Sequence, residues 1–206
     1  MPTVPPCQCM MNEIIHTDLA NGQAVCIRTI RPTDEALMRK GIEQLSSNSR
    51  YFRFFSNQRT PTEAVIEKLL EVDGHHHLAW GAILTNGTEH RAIGAVHVFR
   101  DRTRGAAGEF AVAILDDYHG MGLARMLTAV LLIHCRLQKI SALDVQILSE
   151  NNAALNLVRS LGGQRSSGPP RVAEFTLDTD LALIRLQTQS EQKGLQDVFT
   201  QLARYL

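Results

Sequence analysis

The sequence is short of cysteine, aromatic rings, excess charge and long apolar runs, and each shortage excludes a class. Four cysteines in 206 residues do not make a disulfide scaffold. Cys7-Gln8-Cys9 has no second pair to complete a zinc site, so no metal is expected. Lys plus Arg is 21 and Asp plus Glu is 21. That balance argues against polyanion binding, and no nucleic-acid partner is expected. No apolar run reaches about 18 residues, so no membrane span is expected. The N-terminus lacks the basic-then-apolar layout of a secretory signal, and a cytoplasmic location is the simpler expectation. Aromatic residues make up 5% of the chain, yet Tyr51, Phe52, Phe54 and Phe55 crowd one segment. That clustering suggests a wall of the core or of a cleft.

What is present is globular: 44% hydrophobic and 20% charged, at a length that fits one domain. Residues 1–23 read as a flexible leader, 24–178 as the domain, and 179–206 as a helical tail. Val25–Arg31 is rich in β-branched residues and reads as a strand. A helix capped by Thr33 or Asp34 follows, and a second helix opens at Thr60-Pro61-Thr62-Glu63 with a capping box. Strands are expected at 77–84 and 92–100, joined by an Asn86-Gly87 turn, which is a strong hairpin signal. Further strands are expected at 109–115, 142–148 and 172–177. Gly120 to about Lys139 reads as a helix with one apolar stripe, and Asn152–Leu161 as a short helix ended by glycines. The order gives a mixed α/β (α+β) layer fold. In the tail, Leu195, Val198, Phe199, Leu202 and Leu206 follow helical spacing, with Gly194 as a break. That face fits either its own domain or a second copy, so a homodimer is an open expectation.

Two strand-to-helix junctions carry the chemistry. In the first, an apolar strand from Glu109 runs through Asp116-Asp117-Tyr118 into His119-Gly120-Met121-Gly122-Leu123-Ala124-Arg125. Glycines let a ligand approach the backbone, and a helix N-terminus with a cation suits a phosphate. In the second, Asn151 sits before Asn152–Leu161, where it can cap the helix or reach a ligand. One helix and one strand separate the junctions, so both lie on the same side of the sheet. His75-His76-His77 is read as strand entry rather than a metal cluster, because successive strand side chains alternate faces. His97 is read as a strand residue lining the cleft or core.

Together these segments resemble the Gcn5-related N-acetyltransferase (GNAT) superfamily. Its Q/R-x-x-G-x-G/A signature is approached by His119 to Ala124, with His119 where Gln or Arg is usual and Met121 where a basic residue is frequent. The downstream pattern is matched at Glu150, Asn151, Ala154, Leu157, Leu161 and Gly162. Ser49-Arg50-Tyr51-Phe52-Arg53-Phe54-Phe55, His77-Leu78-Ala79 and Glu109 resemble bacterial protein lysine acetyltransferases.

The resemblance implies a mostly antiparallel sheet of about six or seven strands, splayed between its fourth and fifth and flanked by about four helices. It implies acetyl-CoA as cosubstrate in the splay. Backbone groups of Val112 and Ile114 would hold the pantetheine arm, His119, Gly120, Met121, Gly122, Leu123, Ala124 and Arg125 the pyrophosphate, and Asn151 and Ala154 the remaining contacts. Glu109 would be the general base toward an amine acceptor, in that subgroup a protein lysine. A small-molecule amine, a protein N-terminus, or a non-catalytic acyl-CoA-binding module are the other implied readings. Val158 stands where the superfamily often has a general-acid Tyr, leaving Tyr118, water or an unprotonated thiolate.

Overall fold

The computed structural model describes residues 9–54, 58–86, 90–166, 169–189 and 191–206. Cys7, Phe55 and Gly87 of the hairpin turn lie outside the described residues. Among the described residues, eight strands form one sheet: β1 (Ile14–Asp18), β2 (Ala24–Thr29), β3 (His77–Leu84), β4 (Arg91–Arg100), β5 (Ala107–Ile114), β6 (Ala142–Leu148), β7 (Gln164–Ser166) and β8 (Val172–Asp178). The described α-helices are α1 (Glu35–Gln44), α2 (Ser47–Phe54), α3 (Glu63–Leu70), α4 (Leu123–Leu137), α5 (Asn152–Ser160), α6 (Thr179–Thr188) and α7 (Lys193–Gln201). The order across the sheet is β1-β2-β3-β4-β5-β6-β8-β7, antiparallel throughout except for β5 beside β6. The sheet therefore exceeds the expected strand count at both edges, and the helices exceed four.

The extra strand β1 lies within the stretch read as a leader. Ile15, Thr17 and Leu19 are buried while Ile14 and His16 are exposed, the period of two that packs one strand face. It pairs with β2 from Ile14↔Arg28 to Asp18↔Ala24.

Helix α4 is the centre of the larger core. It does not bury one stripe, as the sequence suggested, but every residue from Met126 to Cys135. A helix apolar on all sides needs cover on all sides. The sheet supplies one side and the tail the other, since α6 and α7 both pack on α4. Leu195, Val198 and Leu202 are buried in this core. Gly194 does not break the tail helix. It lies inside α7, where an added Cβ would meet the Asp18 carbonyl at 2.6 Å. On the opposite sheet face a smaller cluster, Ile30, Ile42, Ile66, Leu69, Leu70 and Ala79, packs among β2, β3, α1 and α3.

Helix starts differ from the expected positions for local reasons. Asp34 ends as a bidentate partner of Arg28 at 2.7 Å rather than a side-chain cap. The α3 cap is Thr62, not Thr60, and Glu63 reaches Arg39 at 2.6 Å instead of closing a capping box. Helix α4 begins at Leu123, because Gly120 and Gly122 adopt left-handed φ of 75° and 84°.

Candidate active site

The site begins where two parallel strands part. β5 and β6 pair only at Ala107↔Ala142, Gly108↔Leu143 and Glu109↔Asp144. Beyond Glu109 the strands continue without pairing to each other. These are the fourth and fifth strands counted from the Val25 strand.

Backbone alternation decides which groups face the opening. On the β4 side, Ala107 O accepts from Asp101 N at 2.8 Å and Leu115 N donates to Ile93 O at 2.9 Å. Odd residues of this stretch thus point their backbone groups at β4, while Ala106 O accepts from Ser141 N on the β6 side. In an antiparallel ladder this sense alternates residue by residue. The N–H and C=O of Phe110, Val112 and Ile114 therefore face the opening.

The opening continues into a cleft of about 630 Å³. Its walls include Val112, Ile114, His119, Gly120, Gly122, Leu123, Ala124, Arg125, Asn151 and Ala154. Of the residues expected to hold a cosubstrate, only Met121 is elsewhere. It packs against the core, and its carbonyl accepts from Ala20 N at 3.3 Å. The left-handed glycines let the chain turn within three residues and leave the first amides of α4 without helical partners. His119 is tied down, its Nε2–H donating to the Ile114 carbonyl at 3.0 Å. Asn151 caps α5, its Oδ1 accepting from Ala154 N at 3.1 Å. Val158 is buried in the core, whereas Tyr118 lines the cleft and its hydroxyl accepts from Arg91 at 3.4 Å.

Two contributors were not singled out for the site from the sequence. One is the start of α2. Asp116 accepts from Ser46 N at 3.0 Å, Ser46 Oγ at 2.7 Å and Ser49 Oγ at 2.9 Å, fastening α2 to the end of β5. Burial would raise the Asp116 carboxyl, but these donors outweigh it and hold it below the usual range. The other is Gln192, from the tail, whose amide lies against Gly122 where a Cβ would go. No motif spacing links residues 70 positions apart, so neither signal was available.

Glu109 sits outside the cleft walls, exposed, at the last paired position before the strands part. Its face also carries Ala111 and Ala113. On that face a smaller pocket of about 80 Å³ is lined mostly by apolar residues of α1, β3 and β4. It shares Leu45, Arg53 and Ala113 with the cleft. Arg53 lies over the Phe54 ring at 5.0 Å. Burial lowers its guanidinium to about 10, partly offset by the charge of Glu109, so it stays a cation at neutral pH.

Residues 24–164 match a family model described as an acetyltransferase (GNAT) domain. The chain belongs to the GNAT acetyltransferase family. Among curated relatives, "Acetyltransferase PA5475" of Pseudomonas aeruginosa is 30% identical over 149 residues, 71% of this chain and 80% of its own. "Acetyltransferase Pat" of Mycolicibacterium smegmatis is 28% identical over 148 residues, 72% of this chain. The match covers 44% of that longer protein. The GNAT domain of S. lividans PAT has a similar structure, with a TM-score of 0.73 at 20% identity over 80% of this chain and 96% of that one. Spermidine N-acetyltransferase from Vibrio cholerae, solved with CoA and spermine, gives a TM-score of 0.60 at 15% identity over 77% of this chain and 98% of its own.

Proposed function

We propose that the protein transfers the acetyl group of acetyl-CoA to a protein lysine by direct attack, with Glu109 as general base. The observation that carries this reading is the parting of β5 and β6 immediately after Glu109. A carboxylate at the last paired position is followed along β5 by gap-facing backbone groups and then by the glycine turn.

Each part has a physical task. The gap-facing N–H and C=O of Val112 and the N–H of Ile114 replace a missing strand and hold the pantetheine amides, while the Ile114 carbonyl holds His119. The Val112 N–H polarises the thioester carbonyl and stabilises the oxyanion that forms on attack. Amides of the turn from His119, with the α4 N-terminus and Arg125, take the pyrophosphate. Asn151 meets the pantetheine at the opposite wall.

A lysine amine has an ordinary pKa of about 10.4 and is protonated at neutral pH, so it cannot attack until it loses a proton. Glu109 accepts that proton. Its exposure gives the proton a route to solvent, and a base of this kind contributes about 10²–10⁴-fold. The resemblance of Ser49–Phe55, His77-Leu78-Ala79 and Glu109 to bacterial protein lysine acetyltransferases supports a protein lysine as the acceptor.

The test uses acetyl-CoA labelled in the acetyl group, incubated with a cell extract and either the natural protein or Glu109→Gln. Label in protein lysines that disappears with Glu109→Gln is the expected result. Label confined to small molecules would refute the lysine acceptor. Undiminished label with Glu109→Gln would remove Glu109 from the mechanism.

A further inference from the structure

Two buried histidines lie behind the small pocket. His77 Nδ1 is 3.0 Å from the Glu71 carbonyl, and His77 Nε2 is 2.9 Å from His97 Nδ1. A carbonyl oxygen only accepts, so His77 carries its proton on Nδ1. A neutral His77 then has a bare Nε2, and His97 must donate to it from Nδ1. That leaves Nε2 of His97 as the bare nitrogen.

Both rings are held in this state. Burial lowers His77 below its ordinary value and, with the nearby Arg53 charge, lowers His97 well below its own. The rings are also wedged. His77 stacks on Phe99 with centroids 4.1 Å apart and on His97 at 5.2 Å, so neither turns freely. The charged groups around the pair come from every neighbouring element. They are Arg53 on α2, Lys68 on α3, Glu71 and Asp73 after it, and Glu109 on β5. Arg28 and Asp34 close the far side of the pocket as a neutral pair.

His97 lines the small pocket, whose Arg53 and Ala113 also wall the cleft. It stands in register with Ala111, next to Val112. The pocket thus offers one fixed acceptor nitrogen among apolar walls, beside a permanent cation. Such a place repels an ammonium ion and receives an uncharged N–H.

We propose that His97 seats the attacking amine, its Nε2 accepting a hydrogen bond from the uncharged amine, while His77 acts as a positioning residue that fixes which His97 nitrogen is bare. This rests on the amine-acetylation reading above and adds to it the group that selects and orients the neutral nucleophile. No proton passes through the pair. The amine proton still leaves through Glu109.

The test is a rescue series in the labelled-acetyl assay, with the acceptor fraction that the natural protein labels. His77→Phe keeps the ring stack but removes both hydrogen bonds. His77→Gln restores them, an amide N–H to Glu71 O and an amide oxygen to His97. Turnover should fall about tenfold in His97→Phe and His77→Phe, as expected for a lost orienting hydrogen bond. It should return to within about twofold in His77→Gln, as for a pair of hydrogen bonds rebuilt in kind. The dissociation constant for acetyl-CoA should stay unchanged in all three. Equal turnover in His77→Phe and the natural protein, or no recovery in His77→Gln, overturns the proposal. Should His77→Phe fail to fold, nitrogen NMR of the natural protein labelled in histidine decides. A bare Nε2 on His97 supports the proposal, and a bare Nδ1 overturns it. If the natural protein transfers no acetyl group at all, the acetylation reading itself fails, which is a different result from either of these.

Discussion

Acid should weaken this fold through His134 by an amount that can be worked out. His134 lies on α4 with no solvent exposure. Its Nδ1 accepts from Trp80 Nε1–H at 3.2 Å, so its proton sits on Nε2, on the side of the Gly74 backbone. Burial lowers its pKa to about 4, partly offset by the Gly74 backbone. In the unfolded chain the ring takes a proton as pH falls through about 6.5. In the folded chain it resists until about 4. The unfolded state therefore binds more protons between these values, and stability drops as pH falls through that window. At pH 5 the loss is about 2 kcal/mol, which for this chain length is about 4–8 °C in Tm. Other groups also titrate in acid, so the measurement is a difference. The Tm of the natural protein and of His134→Phe, which keeps a ring but cannot titrate, are followed from pH 7.5 to pH 5. The natural protein should lose about 4–8 °C more than the variant over that range. Parallel curves would refute the assignment of a neutral, proton-resistant ring to this site.

Substitutions at three other positions probe the cleft. Asn151→Asp keeps the helix cap and should leave Tm unchanged while weakening acetyl-CoA binding in a calorimetric titration, whereas Asn151→Ala should also cost about 1 kcal/mol of stability in urea unfolding. Gly122→Ala forces a side chain at φ 84° into the Gln192 amide; it should destabilise by about 1–3 kcal/mol in urea and raise the acetyl-CoA dissociation constant. Asp116→Asn removes the depressed carboxylate that gathers Ser46 and Ser49. It should lower stability by about 1 kcal/mol at pH 7, and the difference from the natural protein should shrink as pH falls below the unfolded carboxylate value, since the depressed carboxylate contributes above its unfolded pKa and loses that contribution as pH falls.

Local signals carried much of the fold. The runs read as strands at 77–84 and 142–148 coincide with β3 and β6 residue for residue. The glycine pair after Leu161 and the Asn before Asn152 bracket α5 because capping is a property of a few adjacent residues. What was missed depends on the partner rather than the segment. β1 is short and flanked by turn residues, and only pairing with β2 makes it a strand. The apolar face of the tail could not name its cover, because the opposite side of α4 becomes visible as a second apolar surface only in three dimensions. Within the site, the glycine turn was legible as a ligand approach. The inward turn of Met121 was not, since it follows from the Ala20 hydrogen bond across 101 positions of chain. Arg53 was read only within the Ser49–Phe55 segment that resembles lysine acetyltransferases, and only the fold sets its charge between the two cavities.

The parting of β5 from β6 also makes a seam. On one side lies a plate of five strands, β1 to β5, and on the other a plate of three, β6 to β8, joined in the sheet by three residue pairs. Backbone pairing across that line is sparse, and α4 with its packed neighbours carries the remaining load. Pulled apart or warmed, the molecule should open there before either plate frays. In hydrogen exchange, the amides of Val112 and Ile114, which face the opening, should exchange ahead of those of Val145 or Ile147 wherever the latter are bonded to β8.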